Sequence, residues 1–218
     1  MTIGQVLTLA QKEQLRTEME LFLSSLLGVS RLDLIAQRDE EVPMEHLAAL
    51  QKGWLRIQDG VPVAYLTHQK EFYGLPFYVD ERVLVPRPCT ELLVDWTASL
   101  ARARVLEIGT GSGIIALALK HKRPDLRITA VDVSVDALTV ASKNCVQLGL
   151  DVEFLESDLL SGVEGHDFDT LVTNLPYIGT VEHAFVEEKV QKHEPSLALF
   201  GGPSGLNLYE RLFELNQK

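Results

Sequence analysis

The sequence predicts an α/β protein: a small helical N-terminal domain, a β-hairpin connector and a mostly parallel, doubly wound sheet that is incomplete at its C-terminal end. Three observations lead to this prediction. Apolar residues recur at helical spacing before residue 70, an aromatic and turn-rich stretch follows, and short apolar strands then alternate with helices. The chain has 218 residues, 46% hydrophobic and 23% charged, which is the composition of a folded protein with one or two domains.

The helical domain is placed at residues 1–70. Apolar side chains between Leu15 and Leu27 recur every three or four residues, and Gly28 marks the predicted end of that helix. A further helix is predicted over Met44–Leu55, directly after Pro43, because proline is favoured where a helix begins. These segments predict a small helical bundle.

Residues 71–88 predict a β-hairpin linker. The stretch Glu71–Asp80 is aromatic and rich in turn residues, and Arg82–Val85 is the predicted second strand. The run Pro86-Arg87-Pro88 ends the hairpin, because proline has no N–H to donate to a strand ladder.

Residues 89–218 predict the sheet domain. Helices and strands alternate there, with strands at Arg104–Ile108, Arg127–Val131, Val152–Leu155 and Asp169–Thr173, and helices at Glu91–Leu100, Ile114–His121, Asp136–Leu148 and Leu206–Leu215. Such alternation is typical of a parallel sheet with helices on both faces. Only about four strands are visible, and the fourth would be an exposed edge.

Charge and composition exclude several classes of function. The net charge is −11, whereas proteins that bind nucleic acids usually present a positively charged surface. No direct nucleic-acid binding is therefore expected. No apolar run reaches the roughly 18 residues of a membrane helix, and no signal peptide is visible. Two cysteines and six histidines without metal-ligand spacing predict neither a disulfide framework nor a metal site. We therefore expect a cytoplasmic monomer.

A glycine-rich turn follows the first predicted strand of the sheet. It reads Glu107-Ile108-Gly109-Thr110-Gly111-Ser112-Gly113 and lies where nucleoside ligands approach an open α/β sheet. Ile114 stands where a dinucleotide fingerprint needs glycine or alanine, and no Lys-Ser/Thr pair follows. With few bases nearby, the pattern favours a cofactor without phosphates. S-adenosylmethionine is the common one, and its positive sulfonium suits an acidic pocket. The alternative interpretation is a simple tight turn.

Three residues after the next two strands complete the predicted cofactor site. Asp132 ends the second strand, where an acid can accept both ribose hydroxyls. Its alternative role is the N-cap of the following helix, which Ser134 could fill instead. Asp158 could accept from an adenine amino group or cap a turn, and Leu159 would offer an apolar contact to the adenine face.

The tetrapeptide Asn174-Leu175-Pro176-Tyr177 ends the fourth strand and is the predicted catalytic and substrate-binding site; Asn174 is also predicted to contact the cofactor. The Asn174 side-chain oxygen and the Leu175 carbonyl can each accept one N–H of a planar amino group. They would hold the nitrogen with its lone pair facing a sulfonium methyl group. Pro176 stiffens the loop, and Tyr177 packs on a planar substrate group. The alternative interpretation is a turn without catalytic function.

Further segments resemble the HemK/PrmC family of protein-(glutamine-N5) methyltransferases, over nearly all 218 residues. These segments are, besides the glycine turn and the tetrapeptide, the helical N-terminal domain, Pro62–Thr67, Phe72–Leu75 with Phe77, Val85–Pro88 with Thr90-Glu91, Val131–Ser134, His193–Pro195 and Gly201-Gly202. Asn-x-Pro-Tyr after a strand is similar to the signature of methyltransferases that act on planar nitrogens.

The resemblance implies a Rossmann-like class I methyltransferase with S-adenosyl-L-methionine as cofactor. It implies methylation of the glutamine side-chain amide in the Gly-Gly-Gln loop of peptide chain release factors, with residues 1–70 helping to dock that protein substrate. The sequence departs from the family at Leu175, where proline is usual, and at Cys89, where glutamate is usual. Sheets of this type usually have seven strands, so the chain is expected to be C-terminally truncated. Adenine-N6 methylation of nucleic acid and a non-catalytic release-factor-binding fragment are the alternatives.

Overall fold

The computed structural model describes residues 1–163, 167–181 and 187–215. The chain divides into two compact units, Met1–His68 and Gln69–Lys218. Among the described residues, no helix combines the length and apolar character needed to cross a bilayer.

The first unit consists of five helices packed around one apolar core. They are α1 (Ile3–Lys12), α2 (Arg16–Leu27), α3 (Arg31–Ala36), α4 (Met44–Gln58) and α5 (Val63–Thr67). Gly28 ends α2 in the left-handed conformation, as its position in the sequence predicts. A methyl group at Gly53 would lie 2.2 Å from the Phe22 ring, so glycine there allows α4 to pack tightly against α2.

The second unit begins with a β-hairpin that is shorter than the sequence predicts. Strands β1 (Lys70–Phe72) and β2 (Leu75–Phe77) pair antiparallel. The predicted strand at Arg82–Val85 is wrong, because Arg82 instead folds back onto Asp80, donating through its main-chain N–H and its guanidinium. The Val83 N–H also donates to the Asp80 carbonyl at 3.1 Å, so the chain turns at Asp80–Val83 and does not extend as a strand.

Four parallel strands form the sheet of the second unit. They are β3 (Arg104–Ile108), β4 (Arg127–Asp132), β5 (Glu153–Glu156) and β6 (Thr170–Thr173), in the order β5-β4-β3-β6. Val105 pairs with Ile128 on one side and Thr170 on the other. The carboxyl ends of all four strands therefore lie at one edge, and the predicted α/β fold class is confirmed.

The described residues of the second unit also form helices. They are α6 (Glu91–Leu100) after a 3₁₀ turn at Pro88–Thr90, α7 (Ile114–Lys122), α8 (Val135–Leu148), α9 (Glu188–His193), α10 (Ser196–Leu199) and α11 (Asn207–Leu215). One apolar cluster joins Val105 and Val172 to α6 and α7. A second joins Leu106 and Ile108 to Leu212 of α11. Neighbouring strand residues thus serve opposite faces, as the pleat requires.

One fully buried amide ties the segment after the hairpin to the sheet unit. Asn144 of α8 is 0% exposed. Its Oδ1 accepts the Tyr78 N–H at 2.7 Å, and its Nδ2 donates to the Tyr78 carbonyl at 3.0 Å and the Ser112 carbonyl at 2.9 Å. Every hydrogen-bonding position of this amide but one acceptor lone pair is thereby used. Asn144 holds both the chain after the hairpin and the end of the glycine turn.

We expect Asn144→Ala to lower the free energy of unfolding by about 2 kcal/mol, because buried main-chain groups lose their partners. The measurement is urea unfolding of the second unit, followed by Trp96 fluorescence in a shared Trp54→Phe background. Gln147→Ala is the matched control on the same helix. Its exposed amide bonds the Pro76 carbonyl, and we expect a loss below about 0.5 kcal/mol. Equal losses in both variants would contradict the role of Asn144.

Candidate active site

A cavity of about 330 Å³ opens at the carboxyl edge of the parallel sheet. Segments that follow β3, β4, β5 and β6 all contribute to its wall. The predicted site residues found in this wall are Glu107, Gly109, Thr110, Gly111, Ser112, Asp132, Asp158, Leu159, Asn174, Leu175 and Pro176. Gly113 and Tyr177 do not line it, and 66% of the Tyr177 surface is exposed.

The glycine turn crosses over the end of β4. The N–H groups of Gly109 and Thr110 both donate to the Val131 carbonyl, at 2.8 and 3.0 Å. Gly109 and Gly113 have φ of 75° and 82°, a region that side chains disfavour. A methyl group at Gly113 would lie 3.0 Å from a Leu117 methyl carbon. These glycines let the turn bend and α7 begin close to its neighbours.

Asp132 supports the turn from the end of β4. Its Oδ2 accepts the Gly111 N–H at 2.8 Å and its Oδ1 accepts the Ser134 N–H at 2.9 Å. The Ser134 hydroxyl, and not Asp132, caps α8 by accepting the Ala137 N–H. Each carboxylate oxygen of Asp132 keeps a lone pair for a ligand, so the residue can hold a pair of hydroxyls while it fixes the turn.

Glu107 is the most deeply buried acid of the cavity wall, with 1% of its surface exposed. Its Oε2 accepts from the Thr110 hydroxyl at 2.8 Å and from the Ala116 N–H at 3.0 Å. Its Oε1 has no hydrogen-bond partner in the described part of the chain. Burial raises the pKa of Glu107 from 4.5 to about 8. The unpartnered oxygen is therefore an acceptor, or a protonated donor, that a ligand can satisfy.

The raised pKa of Glu107 predicts a pH-dependent stability. Between the unfolded pKa and about 8, the folded protein holds a proton that the unfolded chain has released, so this contribution declines as pH rises. We expect the free energy of unfolding of Glu107→Gln, relative to the parent, to rise from about pH 5 to about pH 8 and then level off. Urea unfolding at several pH values measures this difference. A difference independent of pH would contradict the assignment.

The segment after β5 places Leu159 and Asp158 side by side in the wall. Leu159 is 5% exposed and has φ of 56°. The Ser157 hydroxyl holds this left-handed turn by donating to the Leu159 carbonyl at 2.8 Å. Asp158 accepts from the Arg211 guanidinium of α11 at 2.8 Å. Leu159 is thus fixed as an apolar wall, while Asp158 shares its carboxylate with an arginine.

The tetrapeptide begins directly after β6. Asn174 Nδ2 lies 3.4 Å from the Thr90 hydroxyl oxygen, its acceptor, which leaves the Asn174 Oδ1 for another donor. The Leu175 side chain is 5% exposed and packs in the cluster of Ile108, Leu159 and other apolar residues. The two oxygen acceptors that the sequence predicts thus belong to a loop whose side chains are anchored.

The chain after the tetrapeptide is held by a second segment. Ile178 N–H donates to the Leu199 carbonyl and Gly201 N–H to the Ile178 carbonyl, at 3.2 and 3.0 Å. A methyl group at Gly201 would lie 2.3 Å from the Pro176 carbonyl oxygen, and one at Gly205 would lie 2.3 Å from the Tyr177 carbonyl oxygen. Only glycine permits this approach, so the Gly201-Gly202 motif supports the tetrapeptide from behind.

The arginines of the cavity wall are all paired with carboxylates. Arg82 contacts Asp80, Arg211 contacts Asp158, and Arg87 contacts Glu194, whose side chain is 1% exposed. Glu194 also accepts the Val85 N–H at 3.1 Å. Because these pairs neutralise the arginines, the carboxylate of Asp132 gives the cavity its negative charge, which suits a cationic ligand.

Sequence reasoning missed several residues that shape this cavity. They are Thr90, Asn144, Glu194, Tyr209 and Arg211. Thr90 and Glu194 carried a sequence signal, within Thr90-Glu91 and His193-Glu194-Pro195, but no role was predicted for either; the others act through contacts between distant segments. No group of three metal-ligating side chains occurs in the described ranges, and His166 and His183 lie outside them.

Comparison with known proteins places the chain in a family. The model of the PrmC N-terminal domain matches residues 4–67, and that of the methyltransferase small domain matches residues 87–197. A release factor glutamine methyltransferase of Koribacter versatilis is 40% identical over 202 residues, which cover 90% of this chain and 72% of the relative. The chain belongs to the release factor glutamine methyltransferase family. A member from Chlorobaculum tepidum is 38% identical, again covering 90% of this chain and 72% of the relative.

Membership of the release factor glutamine methyltransferase family confirms the predicted enzyme class and its cofactor, S-adenosylmethionine. The residues fit that cofactor. Glu107 lines the cavity and has a buried oxygen without a partner in the described residues, and Gly111 has no atom within 4 Å of where a methyl group would stand. Asp132 offers acceptors for hydroxyls, and Leu159 offers an apolar wall.

Solved structures support the fold of this family member. The catalytic domain of hMettl16, in complex with MAT2A 3'UTR hairpin 6, matches with a TM-score of 0.52 and 18% identity, covering 67% of this chain and 58% of that one. At this identity the match shows the shared methyltransferase fold alone.

Proposed function

We propose that this chain methylates the side-chain amide nitrogen of the glutamine in the Gly-Gly-Gln loop of a peptide chain release factor. The relatives are named for release factor glutamine methylation. The observation that carries the proposal is that Asn174 and Leu175 line the same cavity as the glycine turn and Asp132. A nucleophile held at the first pair would face a cofactor held at the second.

We propose that the cofactor is held by three parts of the wall. Asp132 accepts the ribose hydroxyls, Leu159 packs on the adenine, and the turn Gly109–Gly113 gives its backbone a close approach. Asp158, shared with Arg211, is proposed to accept from the adenine amino group. When bound, S-adenosylmethionine supplies an electrophilic methyl group on a positively charged sulfur.

The tetrapeptide is proposed to prepare a poor nucleophile. The lone pair of a glutamine amide nitrogen is delocalised into its carbonyl group. Two acceptors, the Asn174 Oδ1 and the Leu175 carbonyl oxygen, take one N–H each and orient that nitrogen. Positive charge that develops on the nitrogen meets these fixed dipoles. The nitrogen would gain a C–N bond as the bond between that methyl carbon and sulfur breaks, with its electron pair left on the sulfur. The nitrogen would then lose one proton, which is acidic enough to pass to water without a strong base.

The proposed substrate contact extends beyond these two oxygens. Tyr177 is exposed and follows the wall residue Pro176, and its ring is proposed to pack on the planar amide group. Pro176 lines the wall and restricts the loop. Residues 1–70 are proposed to help dock the release factor.

A methylation assay tests the proposal. The full chain is incubated with labelled S-adenosylmethionine and an intact release factor, a release factor whose Gly-Gly-Gln glutamine is changed to alanine, or duplex DNA. We expect label in the intact release factor alone. Label only in DNA would favour adenine-N6 methylation, and equal label in the alanine variant would exclude that glutamine as the target. Calorimetry with S-adenosylhomocysteine identifies a non-catalytic fragment, which would produce no heat.

A further inference from the structure

Helix α11 contacts both halves of the cavity wall. The Tyr209 hydroxyl donates to the Leu175 carbonyl oxygen at 3.1 Å, and Arg211 donates to Asp158. Leu212, 4% exposed, belongs to the same apolar cluster as Leu175. The helix therefore joins the segment after β5 to the segment after β6.

The Tyr209 contact is made to one of the two oxygens that the proposed function uses. A carbonyl oxygen has two lone pairs. Tyr209 occupies one, which leaves the other for a donor in the cavity that Leu175 lines. Burial raises the pKa of Tyr209 above its usual 10, so the hydroxyl keeps its proton at neutral pH and remains a donor.

Leu175 stands where the family usually has proline, so its φ is not fixed by a ring. Two contacts restrain it instead. Its side chain is buried, with one methyl carbon 3.1 Å from where a methyl group on Gly109 would stand. Its carbonyl is held by Tyr209. Together they fix the peptide group between Leu175 and Pro176, whose oxygen must not rotate away from the substrate.

We propose that Tyr209 is a positioning residue for methyl transfer, whose hydroxyl orients the Leu175 carbonyl toward the substrate N–H. This inference rests on the proposed function of the Leu175 carbonyl. Tyr209 itself touches neither of the reacting atoms in this scheme. It acts on the substrate indirectly, by fixing the direction in which the free lone pair of the Leu175 carbonyl oxygen points.

The first test observes the Leu175 carbonyl group by NMR and needs neither substrate nor enzyme activity. Protein labelled with [1-¹³C]leucine and [¹⁵N]proline has coupled carbonyl signals only from Leu75 and Leu175, the leucines that precede prolines. Tyr209→Phe removes the hydroxyl alone. We expect the Leu175 signal to move to higher field and the Leu75 signal, from β2, to stay in place. An unmoved Leu175 signal would overturn the hydrogen bond.

The second test separates positioning from stability. In Tyr209→Phe we expect kcat to fall about tenfold, with KM for the release factor and Kd for S-adenosylhomocysteine within about twofold of the parent. Tyr73→Phe is the matched control, because it removes a hydroxyl bonded to Asp95 outside the cavity. An unchanged kcat in Tyr209→Phe would overturn the proposal. So would a fall in kcat matched by weaker S-adenosylhomocysteine binding and a lower unfolding midpoint.

The methylation assay distinguishes a failure of the proposed function from a failure of the positioning role of Tyr209. If the parent protein transfers no label to a release factor, the proposed function fails and the positioning role fails with it, whatever the carbonyl signal shows. If the parent transfers label and Tyr209→Phe does so at the same rate, only the positioning role is overturned.

Discussion

Asn174→Ala is expected to lower kcat for release factor methylation by about 10²- to 10³-fold, the usual cost of removing one fixed dipole from a reacting group. The Asn174 amide spans the cavity wall between the Thr90 hydroxyl and the proposed substrate site. Alanine leaves one N–H of the glutamine amide without its acceptor and frees the nitrogen to rotate. Steady-state kinetics with an intact release factor measure the effect.

Two measurements show whether this loss comes from chemistry. We expect the Kd for S-adenosylhomocysteine in Asn174→Ala to stay within about threefold of the parent, because the lost interaction is with the substrate amide. Asn174→Asp keeps an acceptor oxygen and should retain more activity than the alanine variant. A kcat close to normal in Asn174→Ala would refute the role of this side chain.

Asp132→Ala is expected to weaken S-adenosylhomocysteine binding by about 10²-fold, or about 3 kcal/mol, since hydrogen bonds to a carboxylate contribute about 1.5–3 kcal/mol each. The change removes the proposed ribose acceptors. It also leaves the Gly111 N–H, now bonded to Asp132 at 2.8 Å, without its partner. Isothermal calorimetry measures the Kd.

A neighbouring acid provides the control for charge. Asp136→Ala removes an exposed carboxylate from the first turn of α8, outside the cavity wall. We expect a change in Kd below about threefold, because exposed charges are screened by solvent. Equal affinity in Asp132→Ala and the parent would exclude Asp132 from the ribose site.

Most of the second unit could be predicted because its pattern is regular. Short apolar runs that alternate with amphipathic helices leave few arrangements open, and the predicted elements agree with the structure within about two residues. The hairpin was harder to predict from the sequence. Its second strand, Leu75–Phe77, contains Pro76, a residue that argues against a strand except at an edge. Helices α9 and α10 span 6 and 4 residues, too few for a periodic pattern to show.

The residues of the candidate site also fall into those that the sequence could predict and those that it could not. Residues that follow a strand directly, such as Asp132 and Asn174, could be placed at the carboxyl edge from the strand prediction alone. Contacts between distant segments could not, because they depend on how elements pack. Tyr209 bonds the chain 34 residues before it, and Glu194 bonds Arg87 107 residues before it. Neither spacing has a pattern that sequence reasoning could detect.

The Leu175 side chain packs close to Gly109, with a methyl carbon 3.1 Å from where a methyl group on Gly109 would stand, so the two proposed binding regions are neighbours. If a nucleoside stiffens one loop, the other loses freedom too, and part of the entropic cost of receiving a second molecule is then already met. Thermodynamic reciprocity fixes the consequence: the factor by which a bound cofactor tightens the protein substrate must equal the factor by which that substrate tightens the cofactor.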